Sequence, residues 1–121
     1  MKILVFGNQL LKQDSLPIKL LPKLRQLYPK IEFKEIDPTE DLENQGKHLT
    51  ILDTVKGINK VTIITDIKKL HTNKLYSMHD FDLALNLKLL KKLNIIESVK
   101  IIGIPMDMSE ENALKQISNI L

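Results

Sequence analysis

The sequence of 121 residues contains no cysteine and no tryptophan, only four glycines, and only 4% aromatic residues. The absence of cysteine excludes disulfide scaffolds, thiolate zinc sites, iron–sulfur clusters and cysteine nucleophiles. The few glycines form no Gly-x-Gly-x-x-Gly or Gly-Lys-Ser/Thr segment that could cradle a phosphate, and no Gly-x-Ser-x-Gly elbow. The absence of these motifs argues against a dinucleotide-binding protein, a P-loop protein or an α/β-hydrolase.

Long apolar runs and arginine are also scarce. No run approaches the roughly 20 residues that span a membrane, and residues 1–7 resemble a first strand rather than a signal peptide. Arg25 is the only arginine among 18 basic residues, whereas proteins that read DNA sequence rely on arginine for bidentate contacts to guanine. We therefore expect a cytoplasmic protein that binds neither nucleic acid nor membranes.

The remaining composition, 43% hydrophobic and 27% charged, is that of an ordinary globular protein, and the length suits a single domain over residues 1–121. Apolar runs predict strands at residues 2–6, 31–36, 61–66 and 99–104. Helical spacing of apolar residues predicts helices over residues 10–27 and 80–93 and from Ser109 onward, and the mixed stretch 42–57 predicts a short, irregular helix. This alternation predicts an α/β fold, a three-layer sandwich with a mostly parallel sheet of about five strands flanked by helices on both faces.

Polar residues that follow the predicted strands are the first candidates for chemistry, because open α/β sheets bind ligands outside the carboxyl ends of their strands. Asp14 follows the first strand, Asp66 ends the strand at 61–66, and His79 precedes the helix at 80–93. Two carboxylates and an imidazole could hold a divalent metal and leave positions open. The same residue types also serve as helix caps and solvated turns, so spacing alone leaves both interpretations open. The same alternatives apply to Asp37 and Thr39, which follow the second strand.

Five short segments, in order, resemble the nickel-iron hydrogenase maturation proteases. That family shows Gly-Asn after the first strand with an acid six positions after the Asn, an Asp-x-Gly-Thr-like turn, an apolar strand ending in Asp, Ser-x-His before a helix, and a late Ile-Ile-Gly-Ile strand. The matching segments here are Gly7-Asn8 with Asp14, Asp37-Pro38-Thr39, Ile63-Ile64-Thr65-Asp66, Ser77-Met78-His79 and Ile101-Ile102-Gly103-Ile104.

The resemblance implies a metal-dependent endopeptidase that removes a C-terminal peptide from a nickel-loaded hydrogenase large-subunit precursor. It implies that Asp14, Asp66 and His79 are the catalytic and metal-contacting residues. The expected cofactor is nickel supplied by the substrate, for which zinc or cadmium could substitute in crystals, and the expected partner is the precursor. We expect the substrate to contact Asn8, Asp37 and Thr39.

Several departures from the family pattern keep other functions open, and two of them lie within the matching segments. Gln13 stands where the family usually has a second acid, and Pro38 replaces the glycine of the turn. The alternatives are a catalytically inactive binding or assembly factor of the same fold, or a small regulatory α/β domain. Only the enzyme requires Asp14, Asp66 and His79 to lie within reach of one metal on an open surface.

Overall fold

The computed structural model describes residues 1–6, 16–36, 42–65, 77–78 and 81–121, which form one mixed sheet and three helices. The helices are α1 (Leu16–Leu27), α2 (Phe81–Lys92) and α3 (Glu110–Ile120), and a 3-10 turn covers Leu42–Asn44. The strands are β1 (Lys2–Val5), β2 (Glu32–Glu35), β3 (His48–Lys56), β4 (Thr62–Ile64), β5 (Ser77–Met78) and β6 (Ser98–Pro105).

The sheet has the strand order β2-β1-β3-β6-β4, and the short β5 pairs with β3 outside this path. The pairs β1–β2, β1–β3 and β3–β6 are parallel. By contrast, β4 runs antiparallel to β6, and β5 runs antiparallel to β3. The predicted mostly parallel sheet is therefore confirmed, with an antiparallel strand at one edge.

Helices cover both faces of this sheet. On one face, Ile3 of β1 and Ile102 of β6 pack with α1 and α3 through Leu20, Leu24 and Ile117. On the other face, Leu4 of β1 and Ile101 of β6 pack with α2 through Leu87 and Leu90. The predicted three-layer α/β sandwich is confirmed. Among the described residues, no helix combines the length and apolar content that crossing a bilayer would need.

The predicted irregular helix over residues 42–57 is wrong, because residues 48–56 form β3, the central strand. β3 pairs with β6 over eight residues, from His48 opposite Ser98 to Val55 opposite Pro105. Its residues from 51 to 55 are all buried. A strand buried on both faces shows no alternation of apolar and polar residues, so its periodicity does not distinguish it from a helix.

The helix boundaries follow local signals in the sequence. Pro17 lies in the first turn of α1, where the missing N–H is not needed, and Pro22 lies inside the helix rather than at its start. The part of the predicted helix before residue 16 lies outside the described residues. Ser109 caps α3, since its Oγ accepts a hydrogen bond from the Asn112 N–H at 3.2 Å.

Candidate functional site

The strand order reverses direction between β1 and β3. From β1 the chain passes through α1 to β2 on one side, whereas from β3 it continues to β4 and β6 on the other side. In open α/β sheets, ligands bind in the crevice at the carboxyl ends of the two strands where such a reversal occurs. The crevice between β1 and β3 is therefore the first place to look for a functional site.

Asp53 and Thr54 lie in this crevice, in a stretch of β3 between two strand partners. Just before them along β3, Ile51 and Leu52 pair with β1, and the Leu52 carbonyl accepts a 3.0 Å hydrogen bond from the Phe6 N–H. Just after them along β3, Val55 and Lys56 pair with the antiparallel β5. On the side of β3 away from β6, the described strands thus leave a gap at residues 53 and 54.

Asp53 carries a buried carboxyl group with 1% of its surface exposed. Its Oδ1 accepts a hydrogen bond from the Thr54 N–H at 2.8 Å. Side chains alternate along a strand, so Asp53 lies on the α2 face together with Ile51 and Val55. Aspartate is rarely buried unless it is paired or has a function, because removing a charge from water is costly. Asp53 and Thr54 are the two buried polar residues of the described part of the chain.

The two strands that bracket Asp53 lead directly to residues predicted from the sequence. β1 and Phe6 precede the segment that contains Asn8 and Asp14. Met78, which pairs with Val55, is the residue before His79. The predicted site residues themselves lie outside the described residues, so their roles stay predictions: Asn8, Asp14, Asp37, Thr39, Asp66 and His79.

The direction of β4 bears on the prediction for Asp66. Thr62 pairs with Gly103 and Ile64 with Ile101. β4 therefore runs toward the end of the sheet that holds the amino ends of the parallel strands. If Asp66 and Asp14 belonged to one site, the carboxyl ends of β1 and β4 would have to lie at the same end of the sheet. In the described strands, the carboxyl ends of β1 and β4 lie at opposite ends of the sheet.

Asp53 is a buried acid on a strand that the sequence analysis did not select as a candidate. The interpretation of residues 42–57 as a helix concealed it. An acid within an otherwise apolar, β-branched run, here Asp53 between Leu52 and Thr54 inside β3, is the signal that could have identified it.

A cleft of about 350 Å³ lies at the carboxyl ends of β3 and β6, and it begins at Val55, two residues beyond Asp53 along β3. Val55, the next residue of β3 on the Asp53 face, forms one wall. The remaining walls come from the loops after β3 and β6, and the full lining is Val55, Gly57, Ile58, Asn59, Pro105, Met106, Asp107 and Met108. The cleft is open to solvent, and its walls combine apolar side chains such as Ile58 and Met106 with the polar Asn59 and Asp107.

His48 is the one histidine among the described residues, and it lies far from this crevice. It begins β3 at the opposite edge of the sheet, where its Nδ1 lies 2.7 Å from Ser98 Oγ and its Nε2 lies 3.4 Å from a carboxylate oxygen of Glu97. Within the described part of the chain, no three acidic or histidine side chains cluster closely enough to hold a metal. A metal site at Asp53 would need ligands from the neighbouring segments.

Comparisons with known proteins do not assign the chain to a family. No family model, curated protein or solved structure matches it. The sequence motifs and the position of Asp53 in the fold are therefore the features that support a functional proposal.

Proposed function

We propose that this chain is a metal-dependent endopeptidase of the kind that processes nickel-loaded hydrogenase precursors, with Asp53 as its strand-borne carboxylate. The observation that carries the proposal is the buried Asp53 in the crevice between β1 and β3. The strands on either side of it lead to Asp14 and His79, two of the three residues that the resemblance implies as metal contacts.

The donor set suits this chemistry. Two carboxylates and an imidazole match the preference of a borderline divalent metal, and three ligands leave positions for the groups that the substrate brings. Nickel bound in the precursor would polarise the scissile carbonyl or lower the pKa of an attacking water. In this proposal Asp14, Asp53 and His79 contact the nickel that the precursor carries.

The chain itself orients the Asp53 carboxylate and excludes water from its surroundings. The hydrogen bond from the Thr54 N–H fixes one oxygen of the Asp53 carboxylate. Because the surroundings of Asp53 are buried and apolar, a charge there interacts more strongly than it would in water. The cleft that begins at Val55, with Ile58 and Met106 also in its walls, would hold the peptide in this proposal.

A pair of matched substitutions tests the assignment of Asp53. Asp53→Asn keeps the size of the side chain and removes its charge. Loss of an outer-shell partner typically costs about 10–100-fold in activity, so loss of a direct contact should slow processing of the nickel-loaded precursor by at least about 100-fold. Processing is measured as the shortening of the precursor on a denaturing gel, and thermal unfolding checks that the variant is folded.

Asp66→Asn is the control, and it should process the precursor at the rate of the unchanged protein. If Asp66→Asn abolishes processing and Asp53→Asn does not, the assignment of the acid is wrong. If the unchanged protein leaves the nickel-loaded precursor intact, the peptidase function itself is wrong.

A further inference from the structure

The outer face of α2 carries a row of exposed leucines. Leu85, Leu89 and Leu93 are 53%, 53% and 57% exposed, whereas Leu87 of the same helix is fully buried. Residues four apart lie on the same side of a helix. The Leu93 N–H donates to the Leu89 carbonyl at 3.0 Å, so the helical turn continues through Leu93. We call Leu85, Leu89 and Leu93 the α2 leucine stripe.

This stripe is unusual for a surface helix, which normally presents polar residues to solvent. The other two helices follow the rule. The exposed positions inside α1 include Lys19, Lys23 and Arg25, and those of α3 include Glu110, Glu111 and Lys115. α2 has apolar side chains both toward the sheet and away from it. Covering the outer apolar side chains would remove them from water and would therefore be favourable.

The charged side chains of α2 that the structure describes are all basic. Lys91 and Lys92 are exposed and Lys88 is half-buried, and the sequence from residue 83 to residue 96 contains no acid. A second copy docked through the same face would bring lysines close to lysines, which is unfavourable. Three leucines also cover far less than the roughly 800 Å² that each partner buries in a stable interface. A symmetric dimer is therefore not the occupant.

We propose that the α2 leucine stripe docks an amphipathic helix of a partner protein, one that carries acidic residues beside its own apolar face. Apolar side chains at helical spacing are the usual anchors when a helix binds a protein surface. The lysines would steer the acidic helix and set its orientation. The stripe includes neither Asp53 nor any residue that lines the cleft, so this docking does not depend on the peptidase function.

The test uses a synthetic amphipathic peptide of about 18 residues, long enough to form a helix on binding, with leucines on one face and glutamates beside them. Binding is measured by fluorescence anisotropy, with a second peptide in which lysines replace the glutamates. We expect the acidic peptide to bind and the basic peptide to bind at least tenfold more weakly. Affinity for the acidic peptide should fall as salt is added, since the charges are exposed.

Leu89→Gln should weaken binding of the acidic peptide at least tenfold. Leu27→Gln is the matched control, because Leu27 is 56% exposed at the end of α1 and lies outside the stripe. It should leave binding unchanged. Since both leucines are exposed, thermal unfolding should be similar in the two variants and in the unchanged protein.

Four outcomes would overturn the proposal. The first is equal binding of the acidic and basic peptides. The second is an unchanged affinity in Leu89→Gln. The third is binding to phosphatidylserine vesicles that Leu89→Gln abolishes, with no binding of the acidic peptide, because this would make a lipid surface the occupant. The fourth is a dimer in analytical ultracentrifugation that Leu89→Gln dissociates, because this would make a second copy the occupant.

Discussion

Gly103 in β6 stands at a point where a side chain has no room. A Cβ atom added there would lie 2.9 Å from Cγ2 of Val55, 3.3 Å from Cδ1 of Ile58 and 3.4 Å from the Thr62 carbonyl oxygen. Val55 and Ile58 also form walls of the cleft. The glycine therefore allows β6 to approach the residues that shape the candidate site.

Gly103→Ala should destabilise the protein by about 1–3 kcal/mol, the usual cost of overpacking a close-packed interior. The free energy of unfolding is measured by urea denaturation. Ser118→Ala, at an exposed position of α3, is the control and should change it by less than about 0.5 kcal/mol. An unchanged stability of Gly103→Ala would show that Val55 and Ile58 move aside freely.

Asp53 shows what the sequence could and could not reveal about the site. The expectation that ligands bind near the carboxyl ends of strands led to Asp66, because the apolar, β-branched strand at 61–66 is easy to recognise from the sequence. Asp53 lies inside β3, where Leu52, Thr54 and Val55 are all buried. A strand without a polar face has no period to recognise, so its acid was assigned to an irregular helix.

The C-terminal end of α2 is built on a left-handed residue. Asn94 has φ of 61°, the Asn94 N–H donates to the Lys91 carbonyl, and the Ile95 N–H donates to the Leu90 carbonyl. This pair of bonds is a Schellman motif, in which the left-handed position favours glycine or asparagine. Ile95 then packs against the core under α2.

Asn94→Ala should destabilise the protein by about 1–2 kcal/mol, because alanine has a clash in the left-handed conformation. Asn94→Gly adopts that conformation without a clash and should retain the stability of the unchanged protein to within about 0.5 kcal/mol. Thermal or urea unfolding of the three proteins separates the backbone effect from loss of the asparagine side chain. Equal losses in both variants would contradict the backbone explanation.

Elements with one clear polar face were predictable, and β2 is the clearest case. Phe33 is 4% exposed and lies between the exposed Glu32 and Lys34, which is the alternation that predicted the strand at residues 31–36. The start of α3 was also predictable, because Ser109 followed by two acids is a typical helix N-terminus.

At the scale of the whole molecule, protection of backbone amides should follow the order of the sheet. β3 and β6 pair over eight residues in the buried centre, whereas β4 is a three-residue edge strand that pairs with β6. Amides of the central strands should exchange only on global unfolding, and those of β4 should exchange at least tenfold faster through local opening. Hydrogen exchange followed by mass spectrometry measures both. Equal protection of β4 and β6 would contradict this expectation.

The direction of β4 could have been derived once β3 was recognised. Five residues, 57–61, separate the two strands. They span at most about 18 Å, whereas β3 is nine residues long and extends about 30 Å. Such a short connection cannot return the chain to the edge where β3 began, so β4 must run antiparallel to β3. The strand order needed more, because which strand lies between β3 and β4 depends on packing between distant parts of the chain.

The position of β6 between β3 and β4 has a consequence for the order in which the sheet can assemble. β4 follows β3 closely in the chain, yet its partner in the sheet is β6, which comes later in the sequence. During synthesis, β3 and β4 must both wait for residues 98–105 to leave the ribosome before either gains that partner. The pairing of His48 with Ser98 closes a long loop, which slows folding. The strand that bears Asp53 can therefore pair with β6 only after residues 98–105 of the 121-residue chain have been synthesised.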